Sequence, residues 1–336
     1  MKQGVDRLTK VQLIPFQVEG VQTCLTEVPP GIRMIQAPSI WRKGIKGENV
    51  VVAVLDTGCQ IDHPDLQQQI IGGYNFTNDY KGDPDNFSDN NGHGTHVCGT
   101  IAAAENDTGV AGVAPKAKLL VLKVLTGSGV GEIKHIVSAL KYAVSWTGPQ
   151  GEKVRVISMS LGGPDDDPAL HSAIRDAVKN NILVVCAAGN EGDGNSSTQE
   201  YSYPGAYQEV VEVGSVNYLQ LPSRFSNTNS EVDLVAPGEQ IISTYPHNQY
   251  ASLSGTSMAA PHVSGALALL IEKYEKKRKR RLTERELFNR LIRHTKSLGY
   301  PRSQEGNGML LLKNRKTQKG RLLKRILMAQ IKEENR

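Results

Sequence analysis

Features that mark secreted and membrane proteins are missing from this 336-residue chain. Its first residues, Met1–Arg7, lack the apolar core of a secretory signal peptide. No apolar run is long enough to span a bilayer. These absences favour a cytoplasmic protein, for which we expect no membrane partner.

Cysteine is scarce as well, and the four cysteines stand in unrelated contexts at Cys24, Cys59, Cys98 and Cys186. Without a secretory signal, they are predicted to be reduced thiols and not a disulfide framework. Cys98 follows His93 by five residues, and we interpret it as a small buried apolar residue.

Charge is divided unevenly along the chain. Residues 272–336 hold 21 Lys and Arg against 7 Asp and Glu, a net +14, which leaves −9 for residues 1–271 of a chain with a net charge of +5. The run Lys276–Arg281 is interpreted as a solvated helix end, so no nucleic-acid partner is expected. Thr283–Glu286 predicts a capping box at the start of a further helix. The apolar residues of the tail 316–336 indicate a basic helix that docks on an acidic surface.

What the chain does have is glycine, at 33 positions, and alternating strand and helix patterns. A length of 336 residues accommodates one large domain with a sizeable core. The alternation predicts an α/β fold with a mostly parallel central sheet and helices on both faces. Val50–Leu55, for example, is a continuous apolar run typical of a buried parallel strand.

Ser257 begins a long apolar-periodic segment that predicts a buried helix. A serine there lies near unpaired backbone N–H groups and the positive end of the helix dipole, which favour a developing oxyanion. Taken alone, Ser257 is better explained as a helix cap. Asp56 ends the strand of Val50–Leu55, and His93 follows a turn. An acid, an imidazole and a hydroxyl are the three parts of an activated nucleophile.

The three segments Asp56–Gly58, Asn91–His96 and Gly255–His262 closely resemble the subtilisin (subtilase) family of serine endopeptidases, in the same chain order. The resemblance covers roughly residues 29–312, and it is strongest to the intracellular serine proteases of Bacillus-type bacteria. It implies a three-layer fold, broad specificity for protein substrates, and a catalytic triad of Asp56, His93 and Ser257. A non-catalytic peptide-binding protein on the same scaffold is the alternative.

By the same resemblance, Asn190 in Gly189–Gly192 donates its side-chain N–H to the oxyanion, although Gly-Asn alone is typical of a turn. The substrate backbone is expected to pair with two glycine-rich stretches, and the walls of the specificity pocket are small. The implied substrate-binding residues are Gly129, Gly131, Ser160, Leu161, Gly162, Ala187, Ala188, Gly189 and Ser202, with Glu191 at the rim. Ile133 and Ile136 line a second apolar pocket or belong to the ordinary core.

A calcium site is also implied, with the ligands Asp65, Ala104, Asn106, Thr108 and Val110. Carboxylate, amide and carbonyl oxygens suit Ca²⁺, although turn-forming residues such as these are also common in plain surface loops. His96 lies one helical turn after His93, but no third ligand follows at the spacing of zinc peptidases. We therefore predict a buried, hydrogen-bonded role for His96.

The family resemblance divides the chain into an inhibitory leader (1–25), a catalytic domain (26–315) and a basic tail (316–336). Leu13, Ile14, Pro15 and Phe16 form an apolar segment that its proline keeps extended. We expect this segment to lie in the cleft as a substrate would, with an edge strand or a loosely docked terminus as the alternative. The resemblance further implies a homodimer.

Overall fold

The computed structural model describes residues 10–23 and 26–313, with the backbone alone at Thr26 and Glu27. Cys24 and the predicted tail helix lie outside the described residues. The strands are β1 (Lys10–Leu13), β2 (Gln17–Gln22), β3 (Thr26–Glu27), β4 (Val51–Asp56), β5 (Ile70–Asn75), β6 (Gly109–Val110), β7 (Lys118–Lys123), β8 (Val130–Glu132), β9 (Val154–Met159), β10 (Leu161–Gly162), β11 (Leu183–Ala187), β12 (Val210–Val216), β13 (Leu234–Pro237), β14 (Ile241–Tyr245), β15 (Gln249–Ser254), β16 (Thr295–Lys296) and β17 (Met309–Leu310). The helices are α1 (Pro30–Met34), α2 (Pro38–Trp41), α3 (His93–Ala102), α4 (Ile133–Ser145), α5 (Pro168–Lys179), α6 (Thr256–Arg278), α7 (Glu284–Ile292) and α8 (Arg302–Glu305), with a 3-10 turn at Asp79–Gly82.

Among the described residues, nine strands form the central sheet in the order β16-β17-β13-β12-β11-β9-β4-β7-β5. All neighbours pair in parallel except β16 and β17, which pair antiparallel at one edge. The prediction of a mostly parallel central sheet is therefore confirmed.

Strand β4 shows how the sheet is covered on both faces. Its side chains alternate, because successive residues of a strand point to opposite faces. Val52 and Val54 pack in a cluster with residues of α3 and α6. Val51 and Ala53 pack in a second cluster with residues of α4 and α5. The continuous apolar run of β4 thus reflects burial on both sides.

The parallel arrangement also locates the chemistry. Asp56 is the last residue of β4, and Lys123 is the last residue of its neighbour β7. Polar groups at the carboxyl ends of parallel strands share one edge of the sheet, where sites of open α/β sheets lie. The buried helix α6 begins at Thr256, so Ser257 lies in its first turn.

Within residues 10–23 and 26–313, three smaller sheets accompany the central one, in the orders β10-β1-β8, β14-β15-β2 and β3-β6. The predicted capping box is present at α7, where the Thr283 hydroxyl accepts from the Glu286 N–H and the Glu286 side chain accepts from the Thr283 N–H. Leu287 and Leu291 form its buried face. No helix within residues 10–23 and 26–313 has both the length and the apolar character needed to cross a bilayer.

Candidate active site

Asp56 and His93 are in direct contact at the sheet edge. Nδ1 of His93 lies 2.7 Å from Oδ1 of Asp56, and both side chains are buried. Oδ1 also accepts a 2.8 Å hydrogen bond from the backbone N–H of Thr57. A carboxylate on Nδ1 fixes the ring so that Nε2 faces away from the acid. Nε2 has no hydrogen-bond partner in the part of the chain that the structure describes.

Small residues make this contact possible. Gly94, the second residue of α3, packs so closely on Gly58 that a Cβ would lie 2.1 Å from the Gly58 carbonyl oxygen. Gly58 itself has φ +109°, which strongly favours glycine. The run of small residues after His93 therefore lets α3 approach the end of β4.

Ser257 is fully buried in the first turn of α6. Its Oγ lies 3.4 Å from the carbonyl oxygen of Ser160, and the Ser160 hydroxyl donates a 3.0 Å hydrogen bond to the carbonyl oxygen of Ser257. Since Nε2 of His93 has no hydrogen-bond partner among the described residues, Ser257 and His93 are not hydrogen-bonded to each other here, and the hydrogen bond needed for proton transfer between them has to form with substrate.

Thr256 orients the side chain of Asn190. The Thr256 N–H and hydroxyl both donate to Oδ1 of Asn190, at 2.9 and 2.8 Å. The Thr256 hydroxyl in turn accepts from the N–H of Gly189. With Oδ1 held in this way, Nδ2 of Asn190 is directed into the cleft. The sequence analysis missed Thr256, which lies beside the serine in the same motif.

The leader segment lies in the cleft between two strands. Strand β1 pairs antiparallel with β10 on one side, with Gln12 opposite Gly162 and Leu13 opposite Leu161. It pairs antiparallel with β8 on the other side, with Val11 opposite Gly131. The N–H of Leu13 donates a 2.8 Å hydrogen bond to the carbonyl oxygen of Gly129. The predicted substrate strands therefore both contact the leader.

Beyond β1 the leader reaches the catalytic groups. The carbonyl oxygen of Pro15 accepts a hydrogen bond from Nδ2 of Asn190. The ring of Phe16 lies 4.8 Å from that of His93, centroid to centroid. Strand β2 then continues along β15, where Ser254 and Ser252 hydroxyls contact the carboxylate of Glu19. The leader thus crosses the whole site.

A cavity opens beside Pro15. Its lining residues are Gln12, Leu13, Ile14, Pro15, Gly162, Gly163, Pro164, Glu191, Tyr201 and Ser202. Gly162 is required here, because a Cβ would lie 2.3 Å from Oγ of Ser202. Gly162, Glu191 and Ser202 were predicted, whereas Tyr201 and Pro164 carried no sequence signal. The lining does not include the predicted Ala187, Ala188 and Gly189. They form the buried end of β11 and the turn after it, where Gly189 has φ +113°.

The second apolar pocket forms one cluster with the leader. Val11 and Leu13 pack with Ile133, Ile136 and Leu161 in the cluster that also covers one face of the central sheet. The two isoleucines therefore serve both the core and the cleft.

The predicted calcium ligands lie in the loop 104–110 and at Asp65, which contacts it. Asp65 accepts 3.0 Å hydrogen bonds from Nδ2 of Asn106 and from the N–H of Val110. Ala104, Thr108 and Val110 line a cavity in the same loop. No three His, Cys, Asp or Glu side chains are grouped for a metal in the part of the chain that the structure describes. The donors here are mainly carbonyl and amide oxygens with one carboxylate, a set whose chemistry fits Ca²⁺.

His96 and Cys98 are buried as predicted. Nε2 of His96 lies 2.9 Å from the carbonyl oxygen of Ile241, and burial lowers the pKa of His96 to about 3. A neutral ring bound to backbone carbonyls fills a structural role. A hydrogen bond with Cys59, together with burial, raises the pKa of the Cys98 thiol. Cys59, Cys98 and Cys186 are free and buried.

Comparison with known proteins agrees with this geometry. The sequence profile of the subtilase family matches residues 47–313. The intracellular serine protease of Paenibacillus polymyxa is 54% identical over 90% of this chain and 91% of its own length. The major intracellular serine protease of Bacillus subtilis (strain 168) is 54% identical over 90% of this chain and 93% of its own. Subtilisin DY of Bacillus licheniformis is 43% identical over 81% of this chain and 93% of its own.

Proposed function

Because this chain belongs to the subtilase family and is a subtilisin-like serine peptidase, we propose that it is a cytoplasmic endopeptidase that cleaves unstructured proteins through an acyl-enzyme. The observation that carries the proposal is the leader, an extended peptide that pairs with both β8 and β10 and whose Pro15 carbonyl accepts a hydrogen bond from Asn190. A cleft that binds one extended peptide in this way suits others with the same backbone.

Chemistry begins with proton transfer from the Ser257 hydroxyl to Nε2 of His93, the nitrogen that faces away from Asp56. Oγ of Ser257 then bonds to the peptide carbonyl carbon, and the carbonyl oxygen takes up negative charge. Nδ2 of Asn190 and the Ser257 N–H stabilise that oxyanion. Asp56 stabilises the imidazolium, since its carboxylate remains on Nδ1.

The tetrahedral intermediate collapses as Nε2 of His93 gives its proton to the leaving amine, which departs with the C-terminal part of the substrate. A water molecule then loses a proton to Nε2 and attacks the acyl carbonyl, and Ser257 recovers its proton when the acid product leaves. Gly162, Gly163 and Ser202 are small residues in the lining of the pocket, which suits broad specificity with tolerance of large side chains. Glu191 at the rim favours basic ones.

The leader makes the enzyme a zymogen. Strand β1 ends at Leu13, one residue short of the position where Ile14 would pair with Ser160. A substrate in this register would present the carbonyl of residue 14 to Ser257. Asn190 instead binds the carbonyl of Pro15, the next residue, so the leader offers the wrong carbonyl to the oxyanion donor. Pro15 maintains this offset because its φ is fixed and it has no N–H.

Calcium binding and dimerisation complete the proposal. Asp65, Asn106 and the carbonyl oxygens of Ala104, Thr108 and Val110 would hold Ca²⁺, which would stabilise the loop 104–110 without entering the reaction. The division of charge, −9 for residues 1–271 and +14 for residues 272–336, supports association between copies of the chain.

A direct test uses an unstructured protein such as casein with processed enzyme and with Ser257→Ala. Hydrolysis should fall to near background in the variant, and a fluorophosphonate probe should label wild type at Ser257 alone. His93→Ala and the double variant should be about as inactive as Ser257→Ala, because the triad acts as a unit, a behaviour established on subtilisin. Peptide binding without hydrolysis by folded wild type would instead support a non-catalytic peptide-binding protein.

A further inference from the structure

Lys123 carries a buried charge that the reaction just described does not use. It is the last residue of β7, and its side chain is completely buried. An ammonium group in such a place is stable only when its donors are satisfied and a counter-charge is near. Lys123 meets both conditions through groups that all come from the active-site edge of the sheet.

Its first contact is with the strand of the catalytic acid. Nζ of Lys123 donates a 2.7 Å hydrogen bond to the carbonyl oxygen of Thr57, the residue after Asp56. Thr57 contacts both elements of the Asp56–His93 pair, because its N–H donates to the Asp56 carboxylate and its hydroxyl accepts from the N–H of Gly94 in α3. Lys123 therefore holds the residue that connects Asp56 to the helix of His93.

Its second contact is with the turn that leads into the substrate strand. Nζ donates a 3.0 Å hydrogen bond to the carbonyl oxygen of Leu125, and it lies 3.0 Å from Oδ2 of Asp79. The same Oδ2 accepts a 2.8 Å hydrogen bond from the N–H of Gly127. Gly127 precedes Gly129 and β8, which bind the leader. The ion pair thus fixes the start of the substrate-binding stretch.

Its third contact is with the segment before the catalytic base. Oδ1 of Asn90 accepts a 2.9 Å hydrogen bond from Nζ of Lys123, and Nδ2 of Asn90 donates to Asp79. The next residue, Asn91, donates from Nδ2 to the carbonyl oxygen of Gly127. Asn90 and Asn91 therefore tie the approach to His93 to the same turn.

We propose that Lys123 is a positioning residue for the peptidase reaction. It holds the triad and β8, the strand that pairs with the leader, in their relative positions through Thr57, Asn90 and the Asp79–Gly127 contact. The inference rests on the proposed function. In the part of the chain that the structure describes, the hydrogen-bond and ion-pair partners of Nζ include no leader residue and no triad side chain, so we expect Lys123 to act through the geometry of the site. A small misplacement of reacting groups costs up to about 100-fold in rate.

The chain offers a matched control in Arg155. It is also a buried cation, 6% exposed, with an ion pair to Glu275 at 2.8 Å and a hydrogen bond to the carbonyl oxygen of Leu282. It lies near the start of β9, at the amino ends of the parallel strands, whereas Asp56 lies at their carboxyl ends. Removing it should cost stability without disturbing the site.

The experiment compares leader-free wild type, Lys123→Met, Arg155→Met and Asp79→Ala on one peptide substrate, with the folded, active fraction of each counted by fluorophosphonate titration. Lys123→Met should lower kcat per active site by roughly 10–100-fold. Asp79→Ala should mainly raise KM, because it releases Gly127 but leaves the backbone contacts of Lys123. Arg155→Met should keep both constants within about 3-fold of wild type while losing stability.

Two outcomes would overturn the inference. One is a folded Lys123→Met with the kinetic constants of Arg155→Met. The other applies if Lys123→Met does not fold, and it is an unchanged KM in Asp79→Ala; the fold should survive that change, because the Asp79 carboxylate is 21% exposed and water can replace part of its contact with Lys123. Wild type without Ser257-dependent hydrolysis would instead reject the proposed function itself.

Discussion

The carbonyl oxygen of Pro15 accepts a hydrogen bond from the side-chain amide of Asn190, across 175 positions of the chain. The antiparallel pairing of β1 with β10 places Leu13 opposite Leu161, so a continued strand would place residue 14, and not Pro15, opposite Ser160. The Pro15 contact connects the leader to Asn190, the side chain that we propose as a hydrogen-bond donor to the oxyanion. In the proposed zymogen, the proline at this point would therefore separate binding from cleavage.

Replacing Pro15 by alanine should convert the leader from an inhibitor towards a substrate. Without the fixed φ of proline, residue 14 is free to pair with Ser160 and present its own carbonyl. We expect Pro15→Ala to shorten the activation lag, with early cleavage near residue 14, as followed by mass spectrometry. Lys10→Ala, at the exposed start of β1, is the control. An unchanged lag with an intact leader in Pro15→Ala would contradict this account.

The leader should also inhibit as a separate peptide, with strength that depends on its second strand. A peptide of residues 10–22 includes β2 and the Glu19 contacts with Ser252 and Ser254, whereas a peptide of residues 10–16 does not. Both should compete with substrate for leader-free enzyme, and the longer peptide should have the lower inhibition constant.

Full-length protein should be less active than the processed form. Equal specific activity of the two forms, each confirmed intact by mass, would exclude a zymogen.

The sequence predicted the parts of the fold whose causes are local. The apolar run of β4, the small residues of α3 and the capping box of α7 each follow from neighbouring residues, and the structure has all three. The position of the second leader strand was not predictable, because β2 is exposed at every residue and has no apolar alternation. Its pairing with β15 depends on backbone hydrogen bonds and on the path that β1 imposes.

The contacts around Asn190 were likewise beyond sequence reasoning. Thr256 lies 66 positions from Asn190, and threonine next to a helix start is common for reasons of capping alone. For Lys123, nothing in the neighbouring sequence indicates that Thr57, Asp79 and Asn90 converge on its side chain. Such residues are recognised only when the fold assembles their partners.

Thr256→Val should weaken the oxyanion donor without removing it. The variant loses the hydroxyl that donates to Oδ1 of Asn190, although the backbone N–H of residue 256 still donates. We expect kcat to fall by roughly 10-fold, less than the roughly 10²–10³-fold cost of losing a whole side-chain donor, a magnitude established on subtilisin. KM should change little. Thr256→Ser, which restores the hydroxyl, should recover most of kcat; failure of that rescue would separate Thr256 from Asn190.

Calcium removal should destabilise the protein while leaving its chemistry intact. An ion that binds only the folded state raises stability by RT ln(1 + [L]/Kd), so a chelator should lower Tm and speed inactivation. Asp65→Ala and Asn106→Ala should lower Tm similarly and make it insensitive to chelator. Asp62→Ala, an exposed neighbour, is the control. An unchanged Tm in chelator, together with no calcium bound in equilibrium dialysis of the chelated protein, would remove the site.

Glu212 should make stability fall as pH rises towards 8. It lies in β12 with 0% exposure, its Oε1 accepts from Nδ2 of Asn229, and its Oε2 has no hydrogen-bond partner in the part of the chain that the structure describes. Burial raises its pKa to about 8, against the opposing hydrogen bond from Asn229, and the carboxylates of Asp233 and Glu231 add to the rise.

The sign follows from proton binding. Between the ordinary pKa of 4.5 and about 8, the folded state holds a proton on Glu212 that the unfolded state lacks. Unfolding therefore releases a proton, and the contribution of Glu212 to stability is lost at up to about 1.4 kcal/mol per pH unit as pH rises through this window. Above pH 8 both states are ionised, and the dependence ends.

Glu212→Gln removes the titration while it keeps the shape of the side chain. The comparison uses a Ser257→Ala background, which prevents autolysis. The free energy of unfolding of Glu212→Gln in urea should rise relative to that of its parent from pH 5 to pH 8. Above pH 8 the difference should stay constant. Histidines with lowered pKa values, such as His96, are common to both proteins and cancel in the difference. Glu48→Gln, at an exposed position, should show no such trend. A stability difference that stays constant from pH 5 to 9 would mean that Glu212 is ionised in the folded protein throughout, and that the buried carboxyl does not couple folding to pH.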